Sequence, residues 1–142
     1  MDNNDAKIRR GQADDRSKVV IHVTDLHKIY KIGTTQVRAL NGVDFDVQEG
    51  EFCAIVGTSG SGKSTLLNML AGLEKPTSGE IVIAGQHIEK MNEKQLVKFR
   101  RENVGFIFQS FNLLGTLNAL ENVALPLSFR GIPKPIRLKR AM

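Results

Sequence analysis

Residues Gly57-Thr58-Ser59-Gly60-Ser61-Gly62-Lys63-Ser64 combine three glycines, a cation and several hydroxyls in the pattern G-x-x-x-x-G-K-S. That pattern has a definite chemistry. A loop that wraps a phosphate must aim successive backbone N–H groups inward and let the backbone come close, which residues without a Cβ permit. Lys63 adds a mobile positive charge for the β- and γ-phosphates of a nucleotide, and the Ser64 hydroxyl is a hard oxygen ligand suited to Mg²⁺. Thr65 is expected to donate toward the α-phosphate. The bland reading is a glycine-rich turn that happens to precede a lysine. The flanks argue against it: residues 52–56 form an apolar run that reads as a buried strand, and residues 64–72 have helical spacing closed by a glycine. In a strand–loop–helix setting the phosphates lie at a helix N-terminus, where unpaired N–H groups and the helix dipole favour negative charge.

The elements around the loop follow from hydrophobic pattern and turn residues. Residues 1–17 are polar with mixed charge and read as a disordered tail. Residues 19–23 read as a strand, and two more are expected around 36–40 and 43–48. In the latter, Val43, Phe45 and Val47 alternate with Asp44, Asp46 and Gln48, the pattern of an antiparallel strand with one wet face. Residues 74–79 form a turn by composition, followed by a strand over 80–84 and a turn at Gly85-Gln86. Asn92, with Gln95 three residues later, predicts a capped cationic helix to about Arg101, and an apolar strand over 104–108 follows. From Phe111 onward Leu117, Leu120, Val123 and Leu127 fit a helical stripe that Pro126 should bend or end.

Composition narrows the function classes. A chain of 142 residues with 41% hydrophobic and 25% charged residues is long enough, and ordinary enough, for a globular core. The net charge of +5 invites a polyanion partner, but no acid follows Glu121 whereas Arg130, Lys134, Arg137, Lys139 and Arg140 do. The excess is therefore local and reads as the solvated face of a helix, not as a nucleic-acid site. The single cysteine, Cys53, excludes an internal disulfide and reads as a small buried hydrophobe. His22, His27 and His87 lack metal-site spacing and read as structural or surface residues. With no secretory signal pattern and no apolar run of bilayer length, the expected location is cytoplasmic.

Beyond the loop, three further segments give the chain a specific resemblance. Tyr30 lies on a basic stretch upstream, Leu73-Glu74-Lys75-Pro76-Thr77-Ser78-Gly79-Glu80-Ile81 follows the helix, and Val104-Gly105-Phe106-Ile107-Phe108-Gln109 ends in a glutamine. From about Val19 onward the chain resembles the N-terminal part of an ATP-binding-cassette (ABC) transporter ATPase. Phe111-Asn112-Leu113-Leu114 and residues 119–127 are most similar to the macrolide-export and lipoprotein-release subfamily. The resemblance implies an α/β fold: a P-loop NTPase core with a small antiparallel β-subdomain over residues 18–115, and an incomplete helical subdomain over 116–142. It implies ATP and Mg²⁺ as ligands, with Tyr30 stacking on adenine, Gln109 meeting Mg²⁺ or the attacking water, and Lys63 and Gln109 serving hydrolysis. The implied partners are a second ATPase subunit and a membrane-spanning subunit, the latter reached through the segment after Gln109, which sets the chain peripherally on the cytoplasmic face of the membrane.

Each transferred role has a plainer alternative. Tyr30 alone reads as a half-buried strand-end aromatic, Gln109 as a solvated amide, and Phe111 and Leu114 equally as docking or core residues. The family pattern also needs a strand ending in Asp-Glu, a Ser-Gly-Gly-Gln segment and a later switch histidine, none of which lies in these 142 residues. The expectation is therefore a fragment of an energy-coupling subunit, or else a non-catalytic nucleotide-binding or regulatory module. A small kinase or GTPase is disfavoured by Tyr30 upstream of the loop and by the β-subdomain pattern.

Overall fold

The computed structural model describes residues 7–10 and 18–142. The chain divides at Leu96/Val97 into two compact units. The first holds β1 (Lys7–Arg10), β2 (Val19–Ile32), β3 (Thr35–Gln48), β4 (Cys53–Val56), α1 (Lys63–Leu70), β5 (Ser78–Ile83), β6 (Gln86–His87) and a 3₁₀ turn at Ile88–Lys90. Next, α2 (Glu93–Asn103) spans the division, and α3 (Ala119–Phe129) and α4 (Lys134–Ala141) follow in the second unit.

The larger sheet of the first unit has the order β3-β2-β5-β6, antiparallel throughout, as the alternating pattern of residues 43–48 foretells. Phe45 is buried and Asp44 exposed, with Val43 and Val47 half-buried. The core collects Val23 and Leu26 from β2, Leu40 and Phe45 from β3, Leu66 and Met69 from α1, Ile81 from β5, and Ile88 and Leu96. Burying an aliphatic side chain of this size stabilises by about 1.5–3 kcal/mol, so this cluster fixes α1 and the sheet as one body.

The helix ends are written locally. At α2, the Asn92 and Gln95 side chains exchange bonds with each other's backbone N–H at 2.9 and 3.0 Å, the expected capping box. Asn118 and Glu121 form another at α3. α1 closes with the Gly72 N–H on the Met69 carbonyl and the Leu73 N–H on the Asn68 carbonyl, a Schellman motif with Gly72 at φ 63°.

Several expectations are corrected. The strands expected at 36–40 and 43–48 are one strand, β3, interrupted by an extra residue at Gly42 (φ 74°). The strand expected at 19–23 runs on to Ile32 because β3 and β5 pair along its two edges. Phe52 is 85% exposed and lies outside β4. Residues 104–108 form no strand: they have no ladder partner among the described residues, and the Phe106 and Phe108 rings meet tilted at 57° with centroids 4.6 Å apart. Pro126 does not stop α3, which continues to Phe129 although proline cannot donate to the carbonyl four residues back. Within the stretch read as a disordered tail, Lys7–Arg10 pairs antiparallel with β4, giving that edge hydrogen-bond partners and setting Ile8 beside Leu40 and Leu66. The rest of that stretch lies outside the described residues.

A bulge on the central strand ties the sheet together. Asp25 takes φ 46° and shifts the register of β2 against both neighbours, and its N–H donates to the Asp44 carboxylate at 2.8 Å. The Asp25 carbonyl then lies so near Gly79 (φ 94°) that a Cβ there would meet its oxygen at 2.3 Å. The glycine read as part of a turn is thus required by a close backbone approach in β5. Gly79→Ala should destabilise the chain by about 2–4 kcal/mol through strain and overpacking. Gly33→Ala, at φ 60° but with no atom within 4 Å of its Cβ, should cost only about 1–2 kcal/mol. Urea denaturation of the two variants checks the contrast, and equal losses would refute the close-approach argument.

Candidate functional site

β4 delivers the chain into the loop of residues 57–62, and α1 leaves it at Lys63. Gly60 and Gly62 take φ 79° and 84°, a region open to glycine and costly for other residues. Gly62 has a second reason to be glycine: a Cβ would lie 2.4 Å from the Ala39 carbonyl oxygen and 2.8 Å from Leu40 Cδ2. Its own carbonyl accepts the Leu66 N–H at 2.9 Å, so the left-handed residue is also the first acceptor of α1.

That helix start is left open for an anion. Gly62 offers no side-chain cap, and the first turn of α1 carries no acid. The early N–H groups of a helix have no intrahelical acceptor, and their dipoles add to a partial positive charge there. Lys63 bends back over the loop, and its Nζ donates to the Gly57 carbonyl at 3.0 Å, the Thr58 carbonyl at 2.6 Å and Ser61 Oγ at 3.2 Å. Ser61 is itself buried, while Thr58, Ser59 and Ser64 are exposed and Thr65 half-buried. The ammonium therefore rests on neutral acceptors inside a ring of backbone, and a phosphate oxygen would give it a charged partner. The residues present fit a polyphosphate: an uncapped helix start, a glycine where a Cβ would collide, one cation at the centre and an exposed hydroxyl on Ser64.

Tyr30 is half-buried on β2, opposite Val37. Its hydroxyl donates to Glu74 Oε2 at 2.8 Å, Glu74 Oε1 pairs with Lys28 Nζ at 2.9 Å, and that ammonium sits 5.1 Å from the Tyr30 ring centroid. Nothing in the sequence flags Lys28 and Glu74 as a pair, because the two are brought together only when the segment after α1 returns to β2. Gln109 belongs to the second unit, exposed in the irregular stretch between α2 and α3. Phe111 and Leu114 in the same stretch are 89% and 48% exposed. Asn122 anchors that stretch, its side-chain amide donating to the carbonyls of Leu114, Leu117 and Asn118 while accepting the Leu114 N–H.

The histidines all meet carboxylates: His22 with Asp46, His27 with Asp25 and His87 with Glu89. Glu80, His87 and Glu89 come within 4.8 Å of one another, a grouping the sequence spacing does not announce, and the Lys90 ammonium lies 3.6 Å from both carboxylates. Burial pushes the Glu89 carboxyl up, but N–H donation from its own backbone and from Ile81, together with His87, outweighs this and holds it below its ordinary value. The Lys90 ammonium thus places a positive charge beside this group. Cys53 is half-buried rather than fully buried.

Known proteins of similar sequence and structure identify the family. Residues 40–142 match the ABC transporter family. The chain is 45% identical over 122 residues to the macrolide export ATP-binding/permease protein MacB of Hyphomonas neptunium, covering 86% of this chain and 19% of that protein. It is 45% identical over 115 residues to the lipoprotein-releasing system ATP-binding protein LolD of Chromohalobacter salexigens, covering 81% and 48%. Among solved structures it is similar to the ATP-binding cassette MJ0796 in a dimeric post-hydrolysis state bound to ADP and Pi, with TM-score 0.79 and 42% identity over 85% of this chain and 53% of that one. The chain thus spans about half the length of the single-cassette relatives it matches. With the family match over residues 40–142 and the α/β fold in agreement, the chain belongs to the ABC transporter ATP-binding family.

Proposed function

We propose that this chain is the nucleotide-binding part of an energy-coupling subunit that binds Mg-ATP and, in the intact protein, hydrolyses it as a dimer to drive export through a membrane-spanning partner. The observation that carries the reading is the Lys63 ammonium, poised on neutral loop acceptors at an uncapped helix start that has no competing acid. Such a site is complementary to the terminal phosphates of a nucleoside triphosphate.

Roles follow from position. The N–H groups of residues 57–65 cradle the phosphates, Lys63 neutralises the β- and γ-oxygens, and the Tyr30 ring takes the adenine. Ser64 would hold Mg²⁺, which when bound supplies further charge neutralisation at the transferring phosphoryl group, and Gln109, in the second unit, is the residue we assign to the metal or the attacking water in the intact protein. Catalysis of this kind consists of positioning and electrostatic stabilisation, with no covalent intermediate. Phe111 and Leu114, apolar and exposed, suit the membrane-spanning partner. The relatives' printed roles in macrolide export and lipoprotein release favour an exporter, and the ADP-bound dimer favours paired subunits. No helix among the described residues is long and apolar enough to cross a membrane, in keeping with a peripheral place on its cytoplasmic face.

A second reading, a nucleotide-binding module that does not turn over, applies to the 142-residue polypeptide taken alone, which carries Lys63 and Ser64 but no Asp-Glu pair in its sequence.

Lys63→Ala should abolish ATP binding measurable by calorimetry, since the loop loses its only cationic side chain. Binding within about threefold of the parent, a difference below 1 kcal/mol, would refute the phosphate-loop reading. In a full-length parent, Gln109→Ala should lower kcat for transport-coupled hydrolysis more than it weakens ATP binding, because the amide acts on metal or water and not on the ground-state phosphates. A loss confined to binding would remove Gln109 from that role. Phosphate release by the 142-residue polypeptide should be negligible. Lys63-dependent turnover of about one per second or faster would show a general base not identified among these residues.

A further inference from the structure

The surroundings of Tyr30 are more organised than a surface aromatic needs. Lys28 Nζ meets three partners: Glu74 Oε1 at 2.9 Å, the Lys75 carbonyl at 2.8 Å, and the Tyr30 ring at 5.1 Å from its centroid. The Lys28 and Glu74 side chains are only 15% and 27% exposed, so this pair is shielded from water more than an ordinary surface ion pair. The other carboxylate oxygen of Glu74 accepts the Tyr30 hydroxyl at 2.8 Å. Around them the segment after α1 is stitched to β2: the Ile29 N–H donates to Thr77 Oγ1 at 2.9 Å, and the Thr77 N–H donates to the His27 carbonyl at 2.9 Å.

We infer that Lys28 and Glu74 are positioning residues that lock Tyr30 into a one-sided stacking platform for the purine base of the nucleotide. The inference rests on the reading that Tyr30 meets the base, and adds what holds it there. An untethered ring on a strand end must be ordered when a base lands on it, at an immobilisation cost of about 0.5–1.5 kcal/mol. The hydroxyl bond to Glu74 meets that cost during folding. Lys28 covers one face of the ring, which directs a base to the opposite face, and its charge draws ring electron density toward itself so that the open face repels an electron-rich purine less. The hydroxyl, dispensable for a mere ring face, acquires a role as the tether.

A purely structural role, gluing the segment after α1 onto β2, predicts parallel losses of every ligand. A positioning role predicts loss of the base contribution alone. The chain has one tyrosine and no tryptophan, so its tyrosine emission reports Tyr30 directly. Calorimetric titration of the 142-residue chain with ATP and with inorganic tripolyphosphate, alongside that emission, separates the two. For Glu74→Gln and Lys28→Met we expect ATP to bind about fivefold more weakly, the low end of the stacking range, with tripolyphosphate affinity unchanged. Tyrosine emission of the nucleotide-free Glu74→Gln variant should rise, because an ionised carboxylate acceptor quenches a phenol. Tyr30→Phe, which removes only the hydroxyl and keeps the fold if Glu74→Gln does not, should show the same selective loss of ATP. Adding Glu74→Gln to Tyr30→Phe should then cost less than the two single losses combined.

If Tyr30→Ala weakens ATP while Lys28→Met, Glu74→Gln and Tyr30→Phe all match the parent, the platform stands and the positioning inference is overturned. Parallel losses of ATP and tripolyphosphate also overturn it. If Tyr30→Ala binds ATP like the parent, the base platform itself fails. If the parent chain binds neither ligand, the phosphate-loop reading fails with it.

Discussion

The backbone contact between Gly62 and β3 is the constraint on which the site depends. The Ala39 carbonyl lies where a side chain at position 62 would begin, so the last glycine of the loop can press against the sheet only because it has no Cβ. Three consequences follow from that one approach. The left-handed conformation at Gly62 turns the chain out of the loop and into α1, whose first acceptor is the Gly62 carbonyl. The start of α1 is anchored to β3, while Leu66 and Met69 are carried into the core. The N–H groups at the helix start then point back over the loop instead of being capped. A different residue at 62 would move the helix, and with it every donor aimed at a phosphate.

Electrostatics explains why this arrangement holds before any ligand arrives. A lysine ammonium in a ring of backbone needs acceptors, and the loop supplies two carbonyls and the Ser61 hydroxyl. These are neutral acceptors, and charge-assisted bonds to ionised partners are roughly twice as strong. The loop therefore stabilises Lys63 enough to keep it inside the site but less than a phosphate oxygen would. Because the first turn of α1 has no acid, no carboxylate of the helix competes for that ammonium.

Local chemistry was legible in the sequence and pairing was not. The strand, loop and helix around residues 57–62, the Asn92–Gln95 capping box and the glycine closing α1 are each specified within a few residues, and each forms as expected. The antiparallel sheet was legible because alternation records which face is wet. What failed depends on partners distant in sequence. Residues 104–108 have the composition of a strand, but a strand exists only through a ladder. Lys7–Arg10 looks like tail by composition, yet pairs with β4 because that edge presents unpaired backbone. The bulge at Asp25 is invisible in periodicity, and its only trace is Gly79, which composition assigns to a turn. Lys28 lies in the basic stretch around Tyr30 and Glu74 in the turn after α1, and only the fold sets the two together on Tyr30.

The two ends of α1 connect these observations. Its first residue is Lys63, and beyond its closing glycine the chain runs through Glu74, Lys75 and Thr77, which dock on β2 around Tyr30. Eight helical residues at 1.5 Å each make a strut of about 12 Å, packed through Leu66 and Met69 into the same core as β2. One end of this strut carries the groups that would meet phosphate in the proposed site, and the other is followed by Glu74, which bonds the Tyr30 hydroxyl. A helix packed along one face into the core keeps its length, so the separation between the loop of residues 57–62 and the Tyr30 ring is set by core packing. On the proposed site, nucleotide recognition would be a measurement of length as well as of charge. A change that shifts α1 along its axis would therefore weaken ATP more than tripolyphosphate, even with every residue of the phosphate loop intact.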